Sequence, residues 1–482
     1  MEDLPIEQEH PPQRWPIAKE LLRLTWPIAL SMLSYSLMTA VDTLFVGRFG
    51  AEAISSVGFG GLVSFTLLTF AMGLSRGGKV IVAHAMGAGK TQEIRALAGA
   101  SLGVASMASV VTWVATLAVV PCLGHVFAES TANQYLREYV IVRSVGIPMF
   151  LLASALRELS QGVGDSRGPM WAALASNLLN IPLNALFVIG LGGKVTGSAW
   201  ANVVAQCIDF AILAYLRRDW LLALRGTSLR LVRKVASTGA PLGLEMFLDV
   251  SAFSLLGFIL ARLGAVEMAA HQIALQISHL AILPILAMGE SVSVLSGNAV
   301  GAKRFERLPH ILRAGLGLGL LYAVSLSLVL LTIPEQVVRA FTSAQPVVTL
   351  ASILLSIVAG FQLGFVFYGI GRAALRGIGD MRFTAKVTVG AAWICTPPLG
   401  YFFGHVLGFG VVGGWCALAL EITLASTLYF IRLERRAYAS GATVLDGLGM
   451  GFPENRTFGD QSTESSENWT LGRGKVVDVR QT

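Results

Sequence analysis

The apolar segment Leu24–Val46 contains one charged residue, Asp42. A carboxylate at the centre of a bilayer costs about 2.5–3.5 kcal/mol on insertion scales, so such a residue is by default a functional-site candidate. A carboxyl group in that position can take up a cation on one side of a membrane and release it on the other. Asp42 is therefore the first candidate for chemistry in this chain, with a proton or Na⁺ as the cation.

Two sets of polar side chains could surround this acid. Within each set the members are three or four residues apart, which places them on one face of a helix. The sets are Asn177, Asn180 and Asn184, and Asn202, Gln206 and Asp209. They either form a polar pocket with Asp42 or make hydrogen bonds between helices, a common role of amides in membrane proteins. The pocket is the favoured interpretation for Asn180 and Asn184, and the interhelical contact for Asp209.

Three acids in the second half of the chain are candidates for a cavity: Glu245, Asp249 and Glu290. Glu245 and Asp249 are one helical turn apart and share a face. We expect two carboxyl groups that close to share a proton and to serve a cationic ligand or a second proton relay. The alternative is a neutral, hydrogen-bonded pair without a role in transport.

Glu290 also has a candidate partner of opposite charge, Arg76. If the helices that bear them meet, the two side chains form an ion pair that is made in one state of the protein and broken in another. The alternative is that each residue pairs locally or extends its charged group to the membrane surface. Lys79 lies one turn beyond Arg76 on the same predicted helix.

The composition places all these residues in a membrane protein. The chain has 482 residues, of which 54% are apolar and 13% charged, with a formal charge of +7. Soluble domains have about 25% charged residues. The excess positive charge suits an anionic lipid surface, and no soluble basic domain is present to bind nucleic acid.

A helical span needs about 20 apolar residues, and twelve segments qualify by eye. They are Leu24–Val46, Ile54–Leu74, Leu97–Leu123, Val140–Leu156, Pro169–Leu191, Ala199–Leu216, Val235–Leu260, Ala269–Leu295, Ile311–Ile333, Val347–Ile370, Val387–Val406 and Val411–Ile431. They are too long for barrel strands, so the predicted fold class is an all-α polytopic membrane protein.

Basic residues favour one orientation of these spans. One set of predicted loops contains most of the Lys and Arg residues, among them Arg157, Arg217 and Arg376. The opposite set contains few: Arg48, Arg137, Arg143, Lys194, Arg262 and Arg339. The positive-inside rule therefore predicts a plasma or inner-membrane protein with both termini in the cytoplasm.

The spans fall into two similar halves. Pro27 corresponds to Pro241 and Arg48 to Arg262, each 214 residues later (241 − 27 = 262 − 48 = 214), and the same offset relates Arg76 to Glu290. Six spans per half give both halves the same orientation, which predicts two lobes related by an axis near the membrane normal. The predicted parts are a cytoplasmic leader (1–20), an N-lobe (21–217), a basic linker (218–234), a C-lobe (235–436) and a disordered tail (437–482).

Several spaced motifs resemble those of the multidrug and toxic compound extrusion (MATE) family. They are Pro27 followed by DTLFVGRFGA from Asp42, AAHQI from Ala269, SVLSGNAVGA from Ser293 and AALRGIGD from Ala373. The resemblance covers residues from about 15 to about 440. It implies a monomeric antiporter, with neither a cofactor nor ATP, that exports amphipathic and mainly cationic compounds against inward H⁺ or Na⁺ as its two lobes rock.

The resemblance also implies roles for individual residues. Asp42 corresponds to the acid of an N-lobe cation site, with Asn180, Asn184 and Asn202 as its polar partners. Many relatives have Asp at 184 and often Thr at 202, so this site is less acidic than usual. Asp249 corresponds to an acid of the seventh span. Pro27, by removing the backbone bond to Arg23, either lets the first helix bend as Asp42 changes charge or makes a static kink.

One expected acid of the family is absent. Some members have an acid near Phe365, and without it we do not expect a C-lobe Na⁺ site of that type. No metal site is expected beyond transported Na⁺ at Asp42.

Two other classes of function remain open. The first is a lipid-linked oligosaccharide flippase of the same superfamily, which would need a cationic cavity. The second is a membrane-embedded receptor or enzyme, which would need a sensing domain or a catalytic constellation. The sequence shows neither, and a non-enzymatic transporter is the prediction.

Overall fold

The computed structural model describes residues 14–126 and 130–439. Within these ranges all regular elements are helical and no strand forms, as the sequence predicts. The α-helices are α1 (Arg14–Val46), α2 (Ala51–Gly87), α3 (Thr91–Val119), α4 (Ser130–Val145), α5 (Ile147–Gly162), α6 (Arg167–Asn184), α7 (Lys194–Leu216), α8 (Arg218–Leu222), α9 (Leu229–Ala261), α10 (Ala265–Gly301), α11 (Arg307–Thr332), α12 (Pro334–Arg339), α13 (Gln345–Gly377), α14 (Met381–Tyr401) and α15 (Gly410–Ala439).

Among the described residues, ten helices are long and apolar enough to cross a membrane. The pair α4 and α5, bent by 50° at Gly146, provides an eleventh candidate span. The predicted eleventh span lies on α14, which contains two adjacent prolines, Pro397 and Pro398, and continues into a π-helical segment, Phe402–Val406. Each of the predicted apolar segments thus falls on one of these helices or on the bent pair.

The duplication is visible in the helices themselves. Helices α2 and α10 each have 37 residues and start 214 positions apart (265 − 51). Helices α1 and α9 each have 33 residues and an internal proline, Pro27 and Pro241. We call α1–α7 the N-lobe and α9–α15 the C-lobe.

Helix boundaries extend beyond the apolar segments. Residues 14–20, predicted as leader, begin α1, where Ile17 is buried. In the predicted linker, α9 already starts at Leu229 because the Ser228 side chain accepts a hydrogen bond from the Leu231 amide and caps the helix. The rest of the predicted leader and residues 440–482 of the predicted tail lie outside the described residues.

The lobes approach each other closely through glycines. A Cβ atom on Gly77 would lie 2.5 Å from the Cα of Gly239, and one on Gly239 would lie 2.1 Å from the carbonyl oxygen of Leu74. At the end of α2, a Cβ on Gly87 would lie 2.0 Å from the Asn298 carbonyl oxygen. Only glycine permits this backbone contact between α2 and its neighbours α9 and α10.

Polar contacts between the lobes occur toward the same end. The Thr25 hydroxyl lies 3.0 Å from that of Ser291, and Arg307 donates to Glu20 at 2.9 Å. Nε2 of His84 lies 2.7 Å from the carbonyl oxygen of Gly377. The start of α1 and the end of α2 therefore lie against the C-lobe.

We predict that Gly239→Ala destabilises this contact. The added methyl group meets backbone rather than a flexible side chain, and overpacking of this kind costs about 1–3 kcal/mol. Gly257→Ala on the same helix is the matched control, since its Cβ would meet nothing within 4 Å. Melting temperatures of the purified variants in detergent check this: Gly239→Ala should melt below the wild type and Gly257→Ala at or above it. Equal melting temperatures would contradict the close approach.

Candidate functional site

Asp42 is buried on α1 and faces two helices of the N-lobe. Its Oδ1 accepts a hydrogen bond from Asn184 Nδ2 at 2.8 Å, and its Oδ2 accepts one from Asn202 Nδ2 at 2.8 Å. Asn184 comes from α6 and Asn202 from α7, so three helices converge on one carboxyl group. One member of each polar set therefore meets Asp42 through a hydrogen bond between helices.

Asn180 completes the group as a partner of Asn184. Its Oδ1 accepts from Asn184 Nδ2 at 2.9 Å. The Nδ2 of Asn180 and the Oδ1 of Asn184 are both buried without a hydrogen-bond partner. An unpaired donor and an unpaired acceptor beside a carboxylate leave capacity for a further polar or cationic species.

The chemistry of this pocket follows from its amides. Amide donors on both carboxylate oxygens stabilise the ionised acid. Because an amide can rotate to present its oxygen instead, the same residues can also accept from a protonated carboxyl group or coordinate a hard cation. Asn184 and Asn202 add no charge, so one monovalent cation neutralises the acid.

Two of the three remaining members of the polar sets, Asn177 and Asp209, also contact α1, whereas the side-chain oxygen of Gln206 lies against Gly146. Asn177 donates to Ser34 at 2.7 Å. Asp209 accepts from Arg157 at 2.6 Å and from the Tyr35 hydroxyl at 3.1 Å, and Arg157 also donates to Tyr35. Asp209 therefore makes an interhelical contact, as predicted. Its main partner is Arg157, which we had predicted to lie in a cytoplasmic loop.

A cluster of four charged residues joins the two lobes. Lys79 on α2 contacts both Glu158 on α5 and Glu290 on α10. Arg76 lies 3.6 Å from each of the same two acids. Lys79 is almost fully buried, so its charge depends on these carboxylates.

This cluster combines both interpretations of Arg76 and Glu290. The pair between lobes exists at 3.6 Å, and Arg76 also has a local partner, Glu158. Lys79 is the closer partner of Glu290. The position of Lys79 one turn from Arg76 can be read from the sequence. Its pairing with Glu290 could be predicted only by knowing which helices are neighbours.

The contacts of Glu245 differ from those predicted from the sequence. Instead of sharing a proton with Asp249, its Oε1 accepts from Arg376 at 2.6 Å and from the Thr388 hydroxyl at 2.6 Å, with Arg372 3.6 Å away. Helix α13 extends past its apolar segment, so Arg376 lies inside the C-lobe rather than in the predicted loop. An ion pair replaces the expected carboxyl pair.

The C-lobe contains a partly open cavity of about 330 Å³. Two acids and one arginine on its wall come from different helices: Asp249 from α9, Arg372 from α13 and Glu421 from α15. Of the three predicted cavity acids, only Asp249 lines it, since Glu245 and Glu290 are in the ion pairs described above.

Arg372 and Glu421 were missed by sequence reasoning. Both are charged residues within predicted spans or at their ends, which is the signal that identified Asp42. Glu421 accepts a hydrogen bond from Thr396 on α14. In the described part of the chain, no group of three or more His, Cys, Asp or Glu side chains has the arrangement of a metal site.

Comparison with known families gives a match over most of the chain. A sequence model of the family described as MatE matches residues 27–186 and 241–402. The two matched segments begin 214 residues apart (241 − 27), the offset of the internal repeat.

Similar proteins include multidrug resistance proteins from several bacteria. The chain is 28% identical over 444 residues to the probable multidrug resistance protein NorM of Shewanella oneidensis, covering 86% of this chain and 94% of that protein. It is 26% identical over 442 residues to the probable multidrug resistance protein NorM of Thermotoga maritima, covering 87% of this chain and 94% of that protein.

Solved structures share the fold. One, described as the outward-facing conformation of a multidrug resistance MATE family transporter of the MOP superfamily, has a TM-score of 0.80 at 23% identity and covers 89% of this chain and 97% of its own. The Vibrio cholerae MATE transporter VcmN in its bent form has a TM-score of 0.80 at 19% identity, with 89% and 98% covered.

We predict that Arg157→Met is strongly destabilising because it leaves Asp209 buried without a cation, at a cost of about 3–5 kcal/mol. Arg157→Met with Asp209→Leu should recover most of that loss, since neither charge then remains. Arg339→Met is the control, because Arg339 and Glu335 are about half exposed and 3.8 Å apart. Thermal unfolding in detergent measures all three, and a double variant no more stable than Arg157→Met would refute the pairing.

Proposed function

The chain belongs to the MatE family, and from that membership we propose that it exports amphipathic, mainly cationic compounds by antiport with H⁺ or Na⁺. The observation that carries the proposal is Asp42, a buried carboxylate held by two amides from two other helices. An exporter of this kind needs a group that is alternately neutralised and recharged, and Asp42 has the burial and the partners for that task.

The proposed transport cycle is a rocking of the two lobes. Both termini are placed in the cytoplasm by the positive-inside rule. In that orientation the close approach of α2 to α9 and α10 lies toward the cytoplasmic side, so the present arrangement corresponds to the outward-open state. Substrate leaves in this state and the coupling cation enters.

Asp42 couples the cation to the movement of α1. Neutralising the carboxylate removes the charge that its amide partners, Asn184 and Asn202, stabilise. Pro27 lacks the amide hydrogen that would bond to the carbonyl of Arg23, so α1 is weakened between its cytoplasmic start and Asp42. Loss of the Asp42 contacts can then bend α1 at Pro27.

The four-residue charge cluster holds the lobes together in the outward-open state. Lys79 and Arg76 both lie near Glu290 of the other lobe. Opening toward the cytoplasm separates Glu290 from them, while Glu158 remains in the same lobe as a partner for the two cations. Neither cation is then left without a counter-charge.

The balance of charges in the C-lobe cavity supports efflux of cations over the flippase alternative. Its wall has two acids, Asp249 and Glu421, and one base, Arg372. An anionic lipid-linked substrate would face more negative than positive charge there.

We predict that Asp42→Asn abolishes coupled efflux while the protein is still made, because an amide of the same shape cannot be recharged. Everted vesicles with a pH gradient and a Na⁺ gradient imposed separately measure the efflux of a fluorescent organic cation and identify the coupling ion. Asp219→Asn, at an exposed position, is the matched control. Wild-type-like efflux by Asp42→Asn would remove Asp42 from the mechanism.

We further predict that Lys79→Glu and Glu290→Lys each slow efflux, and that the two together restore part of it. Each single change places like charges in contact between the lobes, and the exchange rebuilds that one attractive pair. Recovery is partial because the exchange also places two carboxylates in contact at positions 79 and 158 and two cations near each other at positions 76 and 290. The same exchange at the exposed pair Lys90 and Glu93, 3.1 Å apart, should change nothing. A double variant as slow as the worse single one would argue against a role for this contact.

A further inference from the structure

We infer that Arg372 sets the charge of the ligand in the C-lobe cavity, so that this cavity accepts monovalent aromatic ammonium-type cations in preference to divalent ones. The inference rests on the proposed efflux of cations and specifies the class of substrate. It concerns a cavity whose charged residues include an arginine as well as acids.

The charged groups of the C-lobe interior form one connected set. Arg372 donates to the Tyr368 hydroxyl at 2.8 Å, and its guanidinium lies 4.5 Å from the centre of that ring. It also lies 3.6 Å from Glu245, but Glu245 is closer to Arg376, at 2.6 Å. Because Glu245 is shared by two arginines, it cannot neutralise both.

Counting these groups gives the charge that a ligand meets. The acids are Asp249, Glu421 and Glu245, and the bases are Arg372 and Arg376. With all of them ionised and His279 of the wall neutral, the sum is one negative charge. One monovalent cation neutralises it, whereas a divalent cation leaves an unpaired positive charge beside Arg372.

The walls of the cavity suit an aromatic or alkyl ammonium ion. Phe361 and Phe365 stack with centroids 5.8 Å apart, and Phe361 makes an edge contact with Trp415 at 6.3 Å. Tyr368 continues the row, 5.5 Å from Phe365. Aromatic faces attract cations, most strongly where water is excluded.

The volume is consistent with one small organic cation. About 330 Å³ is at the lower end of the range for ligand sites, roughly 300–1,000 Å³. A phenyl ring with one quaternary ammonium group fits this description. Asp249 and Glu421 lie on different helices of the wall and can both face the same ammonium group.

The test uses two probes that differ in one charged group, benzyltrimethylammonium and p-xylylene-bis(trimethylammonium). Their binding to the purified full-length protein in detergent is measured by calorimetry, and their export in vesicles in parallel. The variants are Arg372→Gln, Glu421→Gln, the double variant, and Arg339→Gln as an arginine control outside the cavity. The expected net charge of the C-lobe set is −2 in Arg372→Gln and zero in Glu421→Gln. In the double variant and in Arg339→Gln it stays at −1.

The preference for the monovalent probe should follow those charges. Arg372→Gln should shift the affinity ratio toward the divalent probe by about tenfold, the order expected for one charge acting at short range in a partly dry site. Glu421→Gln should weaken the monovalent probe by about the same factor. The double variant and Arg339→Gln should keep the wild-type ratio.

The outcomes separate the two proposals. If the wild type neither binds nor exports either probe, the proposed function fails for this class of cation and the inference falls with it. If the wild type exports the monovalent probe but the ratio is the same in all variants, efflux stands and the role of Arg372 is refuted. If Arg372→Gln does not fold, Glu421→Gln and the double variant still test the inference. The inference is overturned if Glu421→Gln binds the monovalent probe as tightly as the wild type does. It is also overturned if the double variant does not recover the wild-type affinity for that probe.

Discussion

The structure depends on one constraint: a charge buried among apolar helices must have a partner, because an isolated one is costly in hydrocarbon. Asp42 has two amides, Asp209 has Arg157, Glu245 has Arg376 and Glu290 has Lys79. Each of these contacts joins different helices. The charged residues thus determine which helices must stay together, in a bundle whose lipid-facing surface offers little hydrophobic drive for helix association.

The distribution of these pairs matches the division into lobes. The ion pair of Asp209 with Arg157 joins two helices of the N-lobe, and that of Glu245 with Arg376 joins two helices of the C-lobe. Each lobe can therefore move as a body without breaking its own pair. The contacts of Glu290 with Arg76 and Lys79 cross between lobes, next to glycines that allow backbone contact. In the proposed rocking of the lobes, the charge partners between lobes are therefore exchanged while those within each lobe stay together. Glu158 makes that exchange feasible, because it keeps a negative charge beside Lys79.

The two lobes reach the same net charge by different chemistry. In the N-lobe, one acid is surrounded by neutral amides, and the site holds a single negative charge. In the C-lobe, the acids outnumber two arginines by one. In the proposals made above, the amide-lined acid takes the coupling cation, and the C-lobe cavity with its aromatic wall takes an organic cation.

The amino-acid pattern was enough to predict the helical class, the apolar segments, the duplication and the shared face of Asn180 and Asn184, because helical spacing is a local property. The meeting of Asn184 and Asn202 with Asp42 was implied only by the family resemblance. Which charged residues pair could be learned only from the tertiary structure. Arg157 and Arg376 were assigned to loops because a hydropathy pattern ends where charges begin, whereas the helices continue several residues further. Lys79, Arg372 and Glu421 acquired their surroundings only from the packing of helices distant in the chain, and no spacing within one segment encodes that.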